Sequence, residues 1–306
     1  MVAEESTGSV IVTAPIVGFG PSRTAPPTPA RVASVTLPTR SDAMTWRTPV
    51  PVRAGPVRSD VMPPRPIRQA RFRRPPGATE IFLVRHGESE PAVPGQPFPL
   101  ADGHGDPALA PEGREQAERV GERLAEEQID AVYVTTLRRT VQTAAPLLAR
   151  TGLDAVVEAD LREVHLGEWE GGLFRQKVAA GDPIAIRMFE EQRWDVIPGA
   201  EPAATFASRV RGAVERICAV NPDRRVVAVT HGGVIGQVLA LASGARPFTF
   251  VGCDNASISH LVVHGDRWTI RRVNDTSHLD GGLDRPTPGS DQDADRPAET
   301  SPGFSA

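Results

Sequence analysis

The sequence predicts an α/β fold, a three-layer α/β/α sandwich around a mainly parallel sheet, and three observations predict it. First, Ile81–Val84, Ala131–Val134 and Arg225–Val229 are short, largely apolar runs; unbroken apolar residues mark strands covered on both faces. Second, stretches of helical period stand between these runs, the pattern of crossover units that build parallel sheets. Third, two of the runs end alike, at Arg85-His86-Gly87 and at Thr230-His231-Gly232-Gly233. Both histidines then fall at the carboxyl ends of strands, where open α/β sheets bind ligands. A cation beside an imidazole at such a rim suits an anion.

The 306 residues are 40% hydrophobic, enough for a real core, and carry a net charge of −4. That total hides an asymmetry. Residues 1–79 hold eleven arginines against Glu4, Glu5, Asp42 and Asp60, a surplus of seven, so the remainder carries −11. An acidic domain must gather positive charge locally wherever it binds an anion, and no general nucleic-acid face is implied. Residues 1–79 also hold fourteen of the 30 prolines and no periodic apolar pattern. Too little apolar surface is available there to offset chain entropy, so a disordered, solvated Pro/Arg-rich tail is expected. The domain is expected over 80–276, and a second disordered tail over 277–306. Cys218 and Cys253 lack metal-ligand spacing and are expected to be buried thiols in a reducing compartment. Val10–Phe19 is broken by Thr, Pro and Gly and follows Glu4-Glu5, unlike a signal peptide, and no run reaches the roughly 18 apolar residues of a membrane span. A soluble, cytoplasmic protein is expected, with no membrane partner.

Taken in order, the domain opens with the strand ending at Arg85, after which Gly87 lets the backbone turn. Residues 91–106 are rich in Pro and Gly without alternation and are expected to form a long loop. Pro111 starts a helix with Glu112 in its first turn, and Val120 and Leu124 give it an apolar stripe through about Glu127. Ala131–Val134 is the second strand. Thr135 or Thr136 is expected to cap the helix that follows, running to about Arg150. Residues 161–171 bracket carboxylates and Trp169 with glycines, the composition of a shaped loop. A helix around 183–192, a turn at 198–201 and an amphipathic helix over about 204–220 come next. The strand over 225–229 follows, then a helix over 234–242. Strands over 257–263 and 268–273, joined by the turn at 264–267, complete the domain.

Loops at the carboxyl ends of three strands thus contribute Arg85 with His86, Arg138 or Arg139, and His231, while the shaped loop contributes Glu163 or a neighbour. Histidines, arginines and one carboxylate, without a P-loop, suggest phosphoryl chemistry. Imidazole can attack phosphorus in line, guanidinium forks can hold the equatorial oxygens, and a carboxylic acid can protonate the leaving oxygen.

Over roughly Glu80 to Asp275 the chain resembles the histidine phosphatase superfamily, also called the phosphoglycerate mutase-like family. Four motifs match in order: 83–89, Leu-Val-Arg-His-Gly-Glu-Ser; 135–144, with Leu137, Arg139, Gln142, Thr143 and Ala144 in place; Leu161-Arg162-Glu163 leading to Gly167-Glu168-Trp169-Glu170-Gly171; and Val229-Thr230-His231-Gly232-Gly233. The resemblance implies the phosphoglycerate mutase-like fold and a metal-independent enzyme without a cofactor. It implies that His86 is phosphorylated in turnover, that Glu163 is the proton donor and acceptor, and that Arg85, Arg139 and His231 form the phosphate pocket. Ser89 and Gly232, inside the matched motifs, are further candidate substrate contacts. Arg138 is then expected to be solvated, Glu168 and Glu170 to be structural, and His231 to serve as a charged or hydrogen-bonding phosphate ligand. His104, His165, His260, His264 and His278 match no motif and are expected in loops or at the surface.

Two departures matter. An Asn commonly stands three residues after the Ser or Thr of the family's first motif, and Ala92 stands there here; the Arg-His-Tyr sequence typical of true mutases is replaced by Val164-His165-Leu166. Hydrolysis of a small phosphate monoester is therefore the expected activity. The alternatives are a phosphoglycerate mutase and, in another class, a non-catalytic phospho-ligand binding protein, against which the intact His86, Glu163 and His231 set argues. Neither the substrate nor the oligomeric state is encoded in a pattern that residues alone reveal.

Overall fold

The computed structural model describes residues 68–280. Of the tails expected over 1–79 and 277–306, residues 1–67 and 281–306 lie outside the described residues. At both inner margins the structure departs from the expected boundaries. Residues 68–79 are seated on the domain: Phe72 lies under the Arg271 guanidinium at 3.8 Å, Gly77 N–H donates to Asp223 Oδ1 (2.7 Å), and Ala78 is fully buried. At the other end Ser277–Asp280 forms a short helix whose Leu279 is buried in the core. Single apolar anchors, invisible to an average over a Pro-rich window, draw these segments in.

The sheet carries the five expected strands and one unexpected strand, Ala155–Val157. Its six members are β1 (Thr79–Arg85), β4 (Ala131–Val134), β5 (Ala155–Val157), β6 (Arg225–Thr230), β7 (Ile258–His264) and β8 (Arg267–Asp275), with β2 (Leu100–Ala101) and β3 (His104–Gly105) forming a separate hairpin. The spatial order is β5-β4-β6-β1-β7-β8, with β5, β4, β6 and β1 parallel and β7 antiparallel to both β1 and β8. The arrangement agrees with the mainly parallel sheet expected.

Each face of the sheet has its own core, and β1 feeds both. Ile81 and Leu83 point toward α5 (Ala203–Val220) and α6 (Gly232–Ser243), packing with Phe206, Val210, Ile235 and Leu239. Phe82 and Val84 point the other way, onto Val120 and Leu124 of α1 (Pro111–Ala125) and Leu147 of α2 (Arg138–Thr151). Alternation of side chains across a strand buried on both sides thus explains the unbroken apolar run. Each such Ile, Leu or Val contributes about 1.5–3 kcal/mol relative to exposure. A third, smaller cluster of Trp169, Ala185, Met188, Val196 and Ile197 lies beneath α3 (Leu173–Ala179) and α4 (Pro183–Glu191). Cys218 and Cys253 are free, Cys253 buried and Cys218 partly so, with burial pushing the Cys218 thiol up to about 11. Among the described residues no helix is long and apolar enough to cross a membrane.

Three local expectations change. The loop over 91–106 contains the β2–β3 hairpin. Neither Thr135 nor Thr136 caps α2, whose N-cap is Leu137 without a side-chain bond; the Thr135 hydroxyl contacts His231 Nε2 instead (3.1 Å). Gly87 serves close approach, because a Cβ there would stand 2.4 Å from the Gly113 carbonyl oxygen at the start of α1.

Candidate active site

The carboxyl ends of the adjacent strands β1, β4 and β6 open on a cavity of about 280 Å³ lined by Arg85, His86, Arg139 and Glu163 among others. Four sequence-predicted groups converge here from three segments far apart in the chain, with His231 beside His86. His86 leaves β1 with its backbone pinned on both sides: its N–H donates to Thr230 O (3.0 Å), and its carbonyl accepts from Asn255 Nδ2 (3.0 Å) and Ala256 N (3.2 Å). The ring is buried, and Nδ1 lies 2.7 Å from Gly87 O. A carbonyl only accepts, so Nδ1 carries the hydrogen and Nε2 keeps its lone pair. Burial, then Arg139 and Arg85, hold the His86 pKa well below 6.5, and the ring is neutral at neutral pH.

Arg85 and Arg139 are both deeply buried cations. Burial lowers both, Arg139 to about 10, with Glu163 the leading opposing charge in each case, so both remain charged at neutral pH. Arg139 Nη1 donates to Gly105 O (2.9 Å) and Arg85 Nη1 to Cys253 O, while Arg85 Nε is buried without a partner. Glu163 stands on the shaped loop. Its Oε1 accepts from Val164 N (3.0 Å) and its Oε2 from Gly233 N (3.2 Å) at the start of α6.

His231 is fully buried, its ring 5.2 Å from that of His86 and nearly edge-on, with Nδ1 unpartnered. Burial first, then Arg139 and His86, drive its pKa well below 6.5. Of the two roles expected for it, the structure therefore favours the hydrogen-bonding one over the charged one. Gly232 starts α6 beside Arg85, and its N–H belongs to the helix's orphan first turn. Ser89 does not line the cavity. Its buried hydroxyl accepts from Arg175 Nη2 (2.7 Å), a guanidinium that does.

Other residues hold these groups in place. Thr143 Oγ1 accepts from Gly87 N (3.0 Å) and donates to Arg139 O (2.7 Å), tying the second motif to the first. Gln142 Oε1 accepts from Leu109 N (2.8 Å). Glu170 Oε2 accepts from Gly105 N (2.7 Å) and Oε1 from Leu166 N (2.8 Å), a structural role as expected, while Glu168 is exposed. Arg138 lies outside the cavity but is not merely solvated: its Nε is 3.1 Å from Asp106 Oδ2.

Sequence reasoning missed several groups. Arg209 of α5 donates to the carbonyls of Asp160 (2.6 Å), Arg162 (2.8 Å) and Glu163 (2.9 Å), clamping the loop that carries Glu163. His104 and His165, expected as loop or surface groups, meet edge to face with ring centres 5.1 Å apart, and His104 lines the cavity. His260, likewise expected outside the core, is stacked on Phe82 and paired with Glu80 at 3.3 Å. Phe98, Phe174, Trp169 and Trp194 also line the cavity, Phe98 beneath the Arg175 guanidinium at 5.4 Å. No short-range spacing announces any of them. Among the described residues no cluster of three or more His, Cys, Asp or Glu side chains is arranged to hold a metal ion.

Residues 81–276 match the sequence profile of the histidine phosphatase superfamily (branch 1). Phosphoglycerate mutase-like protein 4 of Arabidopsis thaliana is 38% identical over 206 residues, covering 66% of this chain and 87% of that protein. A metal-independent phosphoserine phosphatase of the same plant is 34% identical over 208 residues, covering 66% of this chain and 83% of that protein. The solved structure of a mycobacterial glucosyl-3-phosphoglycerate phosphatase superposes with a TM-score of 0.55 at 31% identity, over 65% of this chain and 100% of that one. Fold, profile and relatives agree, and the chain belongs to the histidine phosphatase superfamily.

Proposed function

We propose that the protein hydrolyses a small phosphate monoester in two steps through a phosphohistidine on His86. The observation that carries this reading is the state of His86: a buried, neutral imidazole whose Nδ1–H is held by Gly87 O, leaving the Nε2 lone pair free at the mouth where Arg85, Arg139 and Glu163 meet. The orphaned donors support it. Arg85 Nε and His231 Nδ1 are buried without partners among the described residues, and unpaired buried donors at one place call for an acceptor such as a phosphate oxygen. In this reading the Thr135 hydroxyl donates to His231 Nε2 (3.1 Å), and Nδ1 carries the hydrogen of the neutral ring as a donor to phosphate.

In the first step Nε2 of His86 forms a bond to phosphorus as the ester P–O bond breaks, and Glu163 acts as general acid, delivering a proton to the departing oxygen. Arg85, Arg139 and His231 Nδ1–H hold the phosphoryl oxygens, where charge spreads in the transition state. In the second step the Glu163 carboxylate takes a proton from water as its oxygen attacks phosphorus. The P–N bond then breaks, returning its electron pair to Nε2 and releasing inorganic phosphate. The relatives named as phosphatases support hydrolysis over isomerisation.

Phosphate release by the wild type and by Glu163→Gln, compared on an alkyl ester and on p-nitrophenyl phosphate, tests the assignment. The alkyl ester needs a protonated leaving group, and there the variant is expected to lose roughly a hundred- to ten-thousandfold in kcat/KM. The loss on p-nitrophenyl phosphate should be far smaller. Equal rates for wild type and variant on both esters would contradict the role of Glu163.

A further inference from the structure

Apart from the groups assigned to phosphate, few side chains that line the cavity offer an unspent hydrogen-bond acceptor. Both oxygens of Glu170 accept backbone N–H groups, and Arg175 donates to Ser89 Oγ and to Glu90 O (2.9 Å). The walls are otherwise aromatic or aliphatic: Phe98, Leu166, Phe174 and the two tryptophans. His104 is the exception. It stands on β3, whose next residue is fastened from two sides, by Arg139 Nη1 on Gly105 O and by Glu170 Oε2 on Gly105 N. Its ring is braced edge-on by His165, and its Nδ1 lies 3.2 Å from Asp102 O. That carbonyl fixes the hydrogen on Nδ1, so in the neutral ring Nε2 is an acceptor, and it has no partner among the described residues. Burial lowers the His104 pKa from its ordinary value, which keeps the ring neutral at neutral pH. Apart from His86 and Glu163, Nε2 of His104 is thus the side-chain acceptor in the cavity lining that no group among the described residues engages.

We propose that His104 selects the leaving alcohol: Nε2 accepts a hydrogen bond from a hydroxyl or ammonium group carried by the substrate next to its phosphorylated arm. The substrate class is then a phosphate monoester of a donor-bearing small molecule, rather than of a plain alkyl or aryl alcohol. An apolar wall with one fixed polar group orients a ligand in this way, and a site built to meet a donor discriminates against the analogue that lacks it. The proposal rests on the phosphatase reading above and extends it from the phosphate to the rest of the substrate.

A matched set separates the two. 3-Phosphoglycerate, O-phosphoserine and 3-phosphopropionate share one carbon skeleton and differ in a single substituent, hydroxyl, ammonium or hydrogen. Wild-type kcat/KM is expected to favour one or both donor-bearing esters over 3-phosphopropionate by about ten- to a hundredfold; which of them is favoured identifies the donor. His104→Phe keeps a ring against His165 but has no acceptor, and it should collapse that ratio toward one, chiefly through KM. His104→Gln, with an amide oxygen as acceptor, should restore part of it. A ratio unchanged in His104→Phe, whatever the absolute rate, overturns the proposal, as does a wild type that does not discriminate; the phosphatase reading survives both results. Release of no phosphate from any of the three or from p-nitrophenyl phosphate overturns the catalytic reading and the proposal with it.

Discussion

At the scale of single residues, Gly233 sets how closely α6 approaches Glu163, the proposed proton donor. Its N–H bonds Glu163 Oε2, and a Cβ on it would stand 2.5 Å from Oε1. Gly233→Ala must therefore push the carboxylate aside, while the helix itself gains up to about 1 kcal/mol from the better helix former. A kcat lowered roughly tenfold or more on alkyl esters, with a melting temperature that does not fall, is the expected outcome of steady-state assays and a thermal melt; an unchanged kcat would show that Glu163 has another place to go. Legibility at this scale divides by locality. His86 and His231 follow strand ends legible in the residues, whereas spacing leaves Arg138 or Arg139 and Glu163 or a neighbour open, and the family resemblance picks out Arg139 and Glu163; the structure gathers His86, Arg139 and Glu163 on one cavity, with His231 beside His86. His104 and Arg209 act through partners tens of residues away, Asp160 and Glu163 in the case of Arg209, and nothing in their neighbours betrays it.

At the scale of elements, long periodic or fully apolar segments were readable and short ones were not. β1 and β6 announce themselves because both faces are buried. β5 has only three residues, with Val156 and Val157 half-exposed at the sheet edge, and α3 has seven residues with none buried; neither leaves a periodic signal. The β2–β3 hairpin is hidden for the same reason, although it carries His104 and the carbonyl that meets Arg139. Glycine spacing was legible but its cause was not. Gly87 and Gly113 exist as a pair, since a Cβ on Gly113 would fall 1.9 Å from Glu88 O. The first turn of α1 thus lies against the backbone that presents His86, a contact between elements that only the assembled fold reveals.

At the scale of the whole molecule, an acidic domain concentrates Arg85, Arg139 and Arg175 on one cavity, so the charge that draws a phosphate ester is local. The same concentration and the burial around it hold His86 and His231 well below 6.5, and burial lowers His104, His260 and His278 as well. Such groups bind fewer protons folded than unfolded. Their stabilisation is present above the unfolded value of 6.5 and is lost as pH falls below it toward the folded values. Thermal melts should therefore show a midpoint that drops as pH is lowered from about 7.5 to 5, and a flat profile would mean that these rings ionise freely in the folded protein. The kcat/KM profile should keep its His86 nucleophile active on the acid side of 6.5 for the same reason. The central claim is tested most directly by rapid acid-free quenching of the enzyme during turnover of a radiolabelled phosphate ester, followed by peptide mapping. A base-stable, acid-labile label on His86, absent from the His86→Ala protein, is the predicted result; turnover with no covalent label, or a label that persists in His86→Ala, would contradict it.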